Sequence, residues 1–190
     1  MDSPGFHAIS SLMGFHRLLL LAVLLCFAAT ATLRADEEER AALFATLRAA
    51  PNEAAADRAA ADIWRYWLRA PDETAQAALD AALLRRRNAD FLGALNHLDR
   101  LIAAYPDYAE GWNQRATIHF IRRDYDASLA DVEEVLVREP WHFGALAGKA
   151  VILLRQGRPA LAQITIREAL EIHPFLRERA LLEAAPGEDL

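Results

Sequence analysis

The side chains with chemical potential are few and widely separated. Beyond residue 35 the histidines are His97, His119, His142 and His173, and none stands three or four residues from another His or a Cys. Metal-ligand spacing is therefore absent, because a helix presents two ligands to one ion only at such intervals. The same stretch holds one serine, Ser128, and one lysine, Lys149, while the single cysteine, Cys26, lies upstream. Ser128 falls inside an apolar helical pattern, which suits a small core residue better than a nucleophile with a base at its side. The glycines are scattered, so no phosphate-cradling loop is formed. No catalytic residue, metal or cofactor is expected. What remains is recognition chemistry. Arg86, Arg87 and Arg155 offer guanidinium forks that grip carboxylates in pairs of hydrogen bonds, although Arg85–Arg87 also suits a plain helix C-terminus, where the dipole favours cations.

The elements that would carry these residues recur. Pro106, Pro140 and Pro174 stand 34 residues apart, and the lines between them superimpose: Asp90 on Asp124, Phe91 on Tyr125, Leu98 on Val132 and Ile166, Ile102 on Leu136 and Leu170. A fixed period of this length marks a stacked-repeat architecture. Within residues 107–140, Trp112, Ala116, Ile118 and Phe120 fall on one side of a first helix, and Leu129, Val132, Val135 and Leu136 on one side of a second. Asp107 with Glu110 predicts a capping pair for the first helix, and Asp124 a cap for the second. Pro140 ends the unit because it lacks an N–H and its ring clashes with the preceding turn. In the next unit Gly157-Arg158-Pro159 places Gly at a helix end and Pro at a helix start. Two short helices with one apolar stripe each cannot bury both stripes alone, so units of this kind stack.

Residues 109–142 resemble a tetratricopeptide repeat (TPR), with Trp112, Ala116, Tyr125 and Pro140 at the repeat's signature positions. Residues 143–176 keep the pattern with Leu146, Ala150, Ala162, Ala169 and Pro174, and residues 75–108 with Ala78, Ala82, Phe91, Ala94, Leu101 and Pro106. Arg115 and Lys149 depart from the usual Leu, His119 from the usual Tyr and Ser128 from the usual Ala. The resemblance implies an all-α, right-handed solenoid of helical hairpins. It also implies a concave groove, lined by the first helix of each repeat, that takes a peptide or protein partner. The matching positions include Gln76, Leu79, Leu83, Arg86 and Arg87; Glu110, Asn113, Thr117, Phe120 and Ile121; and Ala147, Val151, Leu154 and Arg155. Of these, Arg86, Arg87, Glu110, Asn113, Thr117, Phe120 and Arg155 are the candidate ligand contacts, with the arginines as carboxylate donors and Asn113 as a backbone-binding amide. The Lys/Asn pattern of the chaperone-binding carboxylate clamp is missing.

Flanking segments differ in kind. Leu18–Leu33 is uncharged, follows His16-Arg17 and ends near Ala29-Thr30-Ala31, so residues 1–35 read as a secretory signal peptide cut after Ala31 or Ala35. The start at Met1 or Met13 stays open, as does the alternative of an uncut anchor, although spanning helices need about 17–25 apolar residues. Residues 36–74 predict two helices broken at Pro51-Asn52: a degenerate first repeat or an unrelated N-terminal cap, with Trp64 and Trp67 inward. Trp112 is read as core as well, and Trp141 as the aromatic least suited to burial. Residues 177–190 hold a capping helix and tail. The chain is acidic, with 21 basic against 27 acidic residues and a net charge of −6, which disfavours nucleic acid. Arg-rich, Lys-poor and Ala-rich usage points to a GC-rich bacterial genome. The expectation is a non-enzymatic interaction module exported to the periplasm. The alternative is a membrane-anchored assembly factor for envelope or cytochrome biogenesis.

Overall fold

A computed structural model describes residues 34–182, which contain helices and no strand. The chain divides into two units, Met1–Ala42 and Leu43–Leu190. In the first, the described residues 34–42 are helical; the rest of the segment read as a signal peptide falls outside the described residues, as does the tail from 183. No described helix is long and apolar enough to cross a membrane.

The second unit begins with helical residues 43–48 (α1). It continues through α2 (Glu53–Trp67), α3 (Glu73–Arg87), α4 (Phe91–Ala104), α5 (Ala109–Ile121), α6 (Tyr125–Arg138), α7 (Phe143–Arg155) and α8 (Pro159–Ile172). Short polar side chains start most of these helices by accepting an orphan N–H of the first turn. Asn52 accepts from Ala55 N at 3.0 Å, Asp72 from Ala75 N at 2.8 Å and Asp90 from Gly93 N at 2.9 Å. Asp124 caps α6 as expected, accepting from Ala127 N at 3.4 Å. The pair expected at α5 does not form. Its N-cap is Tyr108, which makes no side-chain cap bond, because Glu110 is drawn inward to other donors.

Helices α3–α8 form three hairpins, α3–α4, α5–α6 and α7–α8, with α4 packed on α5 and α6 on α7. Their backbones repeat as faithfully as their sequences. The turn inside each hairpin places one residue in the left-handed region: Ala89 (φ 58°), Arg123 (φ 63°) and Gly157 (φ 71°). The residue before each closing proline is held at nearly one conformation, with φ −131° at Tyr105, −133° at Glu139 and −128° at His173.

Ion pairs repeat too. Arg115 Nη1 meets Asp99 at 2.8 Å, and one period later Lys149 meets Glu133 at 2.7 Å. The two departures from the usual Leu are thus one device, a cation on a first helix reaching the second helix of the preceding hairpin. Arg115 also grips Asp131 with two bonds, of 2.9 and 2.7 Å.

The hairpin α1–α2 is placed differently. Phe44, Leu47, Ala56, Ala59, Ala60, Ile63 and Trp67 form one buried cluster with Phe143, Leu146, Ala147, Ala169 and Leu176. Its apolar stripe is therefore covered by α7, α8 and the segment after Pro174, not by the neighbouring α3, whose buried residues cluster with α4 and Ile118. Leu68 and Ala70, just past the end of α2, meet that second cluster. After α8 the expected capping helix is a single 3-10 turn, Arg177–Leu181. It is tied back by Gln163 Nε2 donating to Leu181 O at 2.9 Å.

Candidate functional site

The first helices of the hairpins bring small and apolar side chains to one face, and a cavity of about 670 Å³ opens on it. From α5 it is lined by Asn113, Ala116, Thr117 and Phe120, and from α7 by Gly144, Ala147, Gly148 and Val151. These sit three or four residues apart, the spacing that puts side chains on one helical face. The opposite wall is α2, through Asp57, Ala60, Ala61 and Trp64, and one end is closed by His173 and residues 175–178. Asp57, Ala61 and Arg177 are exposed, so the cavity reaches the surface.

Of the seven expected contacts, the cavity gathers three: Asn113, Thr117 and Phe120. Glu110 is instead 1% exposed. A carboxylate removed from water needs donors, and Glu110 has three: Asn113 Nδ2 at 3.1 Å to each oxygen, Gln114 Nε2, and His142 Nε2 at 3.2 Å. It holds the floor of the groove together and is not presented to a ligand. The same bonds engage the donor end of the Asn113 amide, and Thr117 Oγ1 donates to Asn113 O at 2.9 Å. Arg86 Nη1 donates to Gln114 Oε1 at 2.5 Å. Arg87 and Arg155 are exposed, and none of the three arginines lines the cavity. The guanidinium at its rim is Arg177.

Three aromatic and imidazole side chains carry more of the site than the sequence suggested. His142, expected in a polar loop, is fully buried. Its Nδ1 accepts from Ala145 N at 3.0 Å, capping α7, so the ring proton sits on Nε2 and is donated to Glu110. On the other side the His142 ring stacks on Trp67 with centroids 3.9 Å apart and planes 8° from parallel. Trp67 Nε1 reaches Glu139 Oε2 at 3.4 Å, and Tyr108 Oη donates to Trp67 O at 3.0 Å. Trp64, read as core, is only half-buried and faces the cavity. A signal for His142 existed: it stands just before the first residue of α7, where a side-chain acceptor is wanted. Nothing local pointed to its stacking partner 75 positions away.

His173 also lines the cavity, 4% exposed, with its Nδ1 lacking a hydrogen-bond partner. Burial lowers its pKa below the ordinary 6.5, while Asp57 and Glu178 pull it back up. Ser128 Oγ donates to Ala116 O at 2.8 Å and is buried, as a packing residue should be. Among the described residues no three His, Cys, Asp or Glu side chains converge as metal ligands. The cavity thus offers mostly apolar surface with a few fixed polar atoms around it, a composition common among ligand pockets.

A family model for the tetratricopeptide repeat matches residues 79–139 and again 116–176. A TPR repeat-containing protein of Rhizobium etli is 45% identical over 95 residues, a match spanning half of this chain and 45% of that relative. Among solved structures, the TPR2B domain of yeast Sti1, determined in complex with pHsp70, is similar with a TM-score of 0.54 at 19% identity, covering 58% of this chain and 91% of that one. MamA gives a TM-score of 0.50 at 19% identity, covering 58% and 59%. The two overlapping matches of the family model together take in just over half of the chain, and they coincide with the hairpins whose turns, prolines and ion pairs repeat at 34 residues. The chain belongs to the tetratricopeptide repeat family.

Proposed function

We propose that this TPR protein–protein interaction module is non-enzymatic, works outside the cytoplasm, and grips an apolar segment of a protein partner in the groove over α5 and α7. The observation that carries this reading is the cavity itself. It falls on the groove positions Asn113, Thr117, Phe120, Ala147 and Val151, and its size of about 670 Å³ lies in the range of ordinary ligand sites. The Sti1 neighbour, solved in complex with pHsp70, supports a protein or peptide as the class of partner. The apolar lining and the displacement of Arg86, Arg87 and Arg155 from the cavity favour apolar side chains over a carboxylate as the feature read.

Gly148 supplies the test. A Cβ built there meets nothing within 4 Å and Gly148 lines the cavity, so Gly148→Trp is chosen to send an indole into it. The tagged full chain is crosslinked in its native host beside this variant. A partner captured by the parent and lost from Gly148→Trp locates the interface. A partner captured equally by both places it elsewhere and overturns the groove reading. Export rests on the uncharged run Leu18–Leu33 after a basic flank. A purified chain beginning at Thr32 or Asp36 supports it, and one beginning at Met1 or Met13 favours an anchor.

A further inference from the structure

The groove already holds a helix, and that helix belongs to the chain. Helix α2 lays its apolar stripe onto α7: Ala59, Ala60, Ile63 and Trp67 are buried with Phe143 and Ala147. The floor is shaped for an indole. A Cβ at Gly144 would stand 2.6 Å from the Trp64 ring, so only a residue without a side chain lets that ring down. Both ends of α2 are fastened, by Glu53 to Arg179 at 3.2 Å and by Tyr108 to the carbonyl of Trp67 at 3.0 Å. The seat is nonetheless incompletely filled. Ala60 and Ala61 of α2 face the cavity, and Gly148 opposite them looks into open space. An occupant with larger apolar side chains at those two places would bury more area than α2 does.

Resting on the groove reading above, we infer that the groove is a helix-binding site whose resident occupant is α2. Its partner is an amphipathic helix with aromatic residues at the places of Trp64 and Trp67 and bulky aliphatic ones at the places of Ala60 and Ala61. Such a helix takes the seat by displacing α2. While α2 is in place, the observed affinity is reduced by the fraction of molecules in which the seat is free.

The probe is a labelled synthetic peptide of residues 50–70 carrying Ala60→Leu and Ala61→Leu, with the unaltered peptide as its control. Each is titrated into the full chain and into a full-chain Trp64→Asp variant, in which the resident helix is weakened and the α5–α7 floor is unchanged. The Leu-bearing peptide should bind the variant at least about tenfold more tightly than the control does, from the apolar area two Leu add, and more tightly than it binds the parent. Should the variant fail to fold, hydrogen exchange on the parent decides. Saturating peptide should strip protection from residues 53–67 while α5 and α7 keep theirs. Equal binding of the two peptides, peptide bound while α2 stays protected, or dimers formed by trading α2 between copies would each overturn the inference. Peptide bound beside a protected α2 would leave the groove reading standing, whereas indifference of capture to Gly148→Trp would remove that reading.

Discussion

The array α3–α8 and the hairpin α1–α2 are built from the same helical, Ala-rich material, yet they are held by different rules. In the array each helix is covered by its neighbours in sequence, and the contacts recur with the period: Arg115 to Asp99, then Lys149 to Glu133. The hairpin finds its cover far downstream, in Phe143, Leu146, Ala147, Ala169 and Leu176. Nearest-neighbour stacking spreads stability over many equivalent contacts. Long-range docking concentrates it in a few large side chains, here Trp67 with His142, Phe143 and Phe44 around it.

Substituting one tryptophan in each region separates the two rules. Trp67→Ala removes a buried ring and leaves a void against His142, so it should cost about 3–5 kcal/mol in chemical denaturation. The loss should fall on the docked hairpin, with helicity of the array retained. Trp112 is half-buried: its Nε1 donates to Pro106 O at 2.9 Å, and the guanidinium groups of Arg115 and Arg138 lie 5.0 and 4.8 Å from its ring. Partial exposure reduces the loss to about 2 kcal/mol for Trp112→Ala, but the transition of the whole array should shift with it. If Trp67→Ala lowered the array as much as the hairpin, the two regions would be one cooperative unit.

Two glycines of α7 sharpen the comparison, because one lies under the hairpin and the other under the cavity. Gly144→Ala sets a methyl group 2.6 Å from Trp64, an overpacking worth about 1–3 kcal/mol of stability. Gly148→Ala meets nothing and should stabilise by about 0.5–1 kcal/mol, the helical advantage of Ala over Gly. Opposite signs in thermal denaturation are the expected result. Two stabilising changes would mean that Trp64 does not rest on Gly144.

The same distinction explains what was legible in the sequence. Period, apolar stripes and prolines are local, and they marked the three hairpins, whereas the face on which Asn113, Thr117 and Phe120 gather came from the family resemblance alone. The helices of residues 43–67 were legible too, from Phe44, Leu47, Ile63 and Trp67 and the break at Pro51. Their seat in the groove was not, because a pattern of apolar spacing shows which face is covered and never what covers it. Glu110 was misplaced for a related reason. At a helix start an acidic residue suits the dipole, and only the tertiary arrival of His142 beside Asn113 and Gln114 turns it inward. Arg177 escaped notice because it lies beyond the last repeat, where the period has nothing to say.

The smallest expected effect tests how strictly the array obeys its own period. One turn position is left-handed in all three hairpins, but only the third carries glycine: Ala89 at φ 58°, Arg123 at φ 63° and Gly157 at φ 71°. A side chain in this region crowds the following carbonyl at a cost of about 1–2 kcal/mol, whereas glycine adopts it freely. The backbone bonds that close the three turns are alike: Asp90 N to Arg85 O, Asp124 N to His119 O and Arg158 N to Leu153 O, all at 2.9 Å. The conformation is therefore imposed by the helix-ending motif and not by the residue in it. Arg123→Gly should relieve strain and raise stability by about 0.5–1 kcal/mol net of the entropy that glycine adds to the unfolded chain, and Gly157→Ala should lower it by a similar amount. Because Arg123 is exposed and joins two helices of the central hairpin, its gain should appear as a higher midpoint for the array with residues 43–67 unaffected. A gain shared with the hairpin would show that α2 reads the stability of the floor on which it rests.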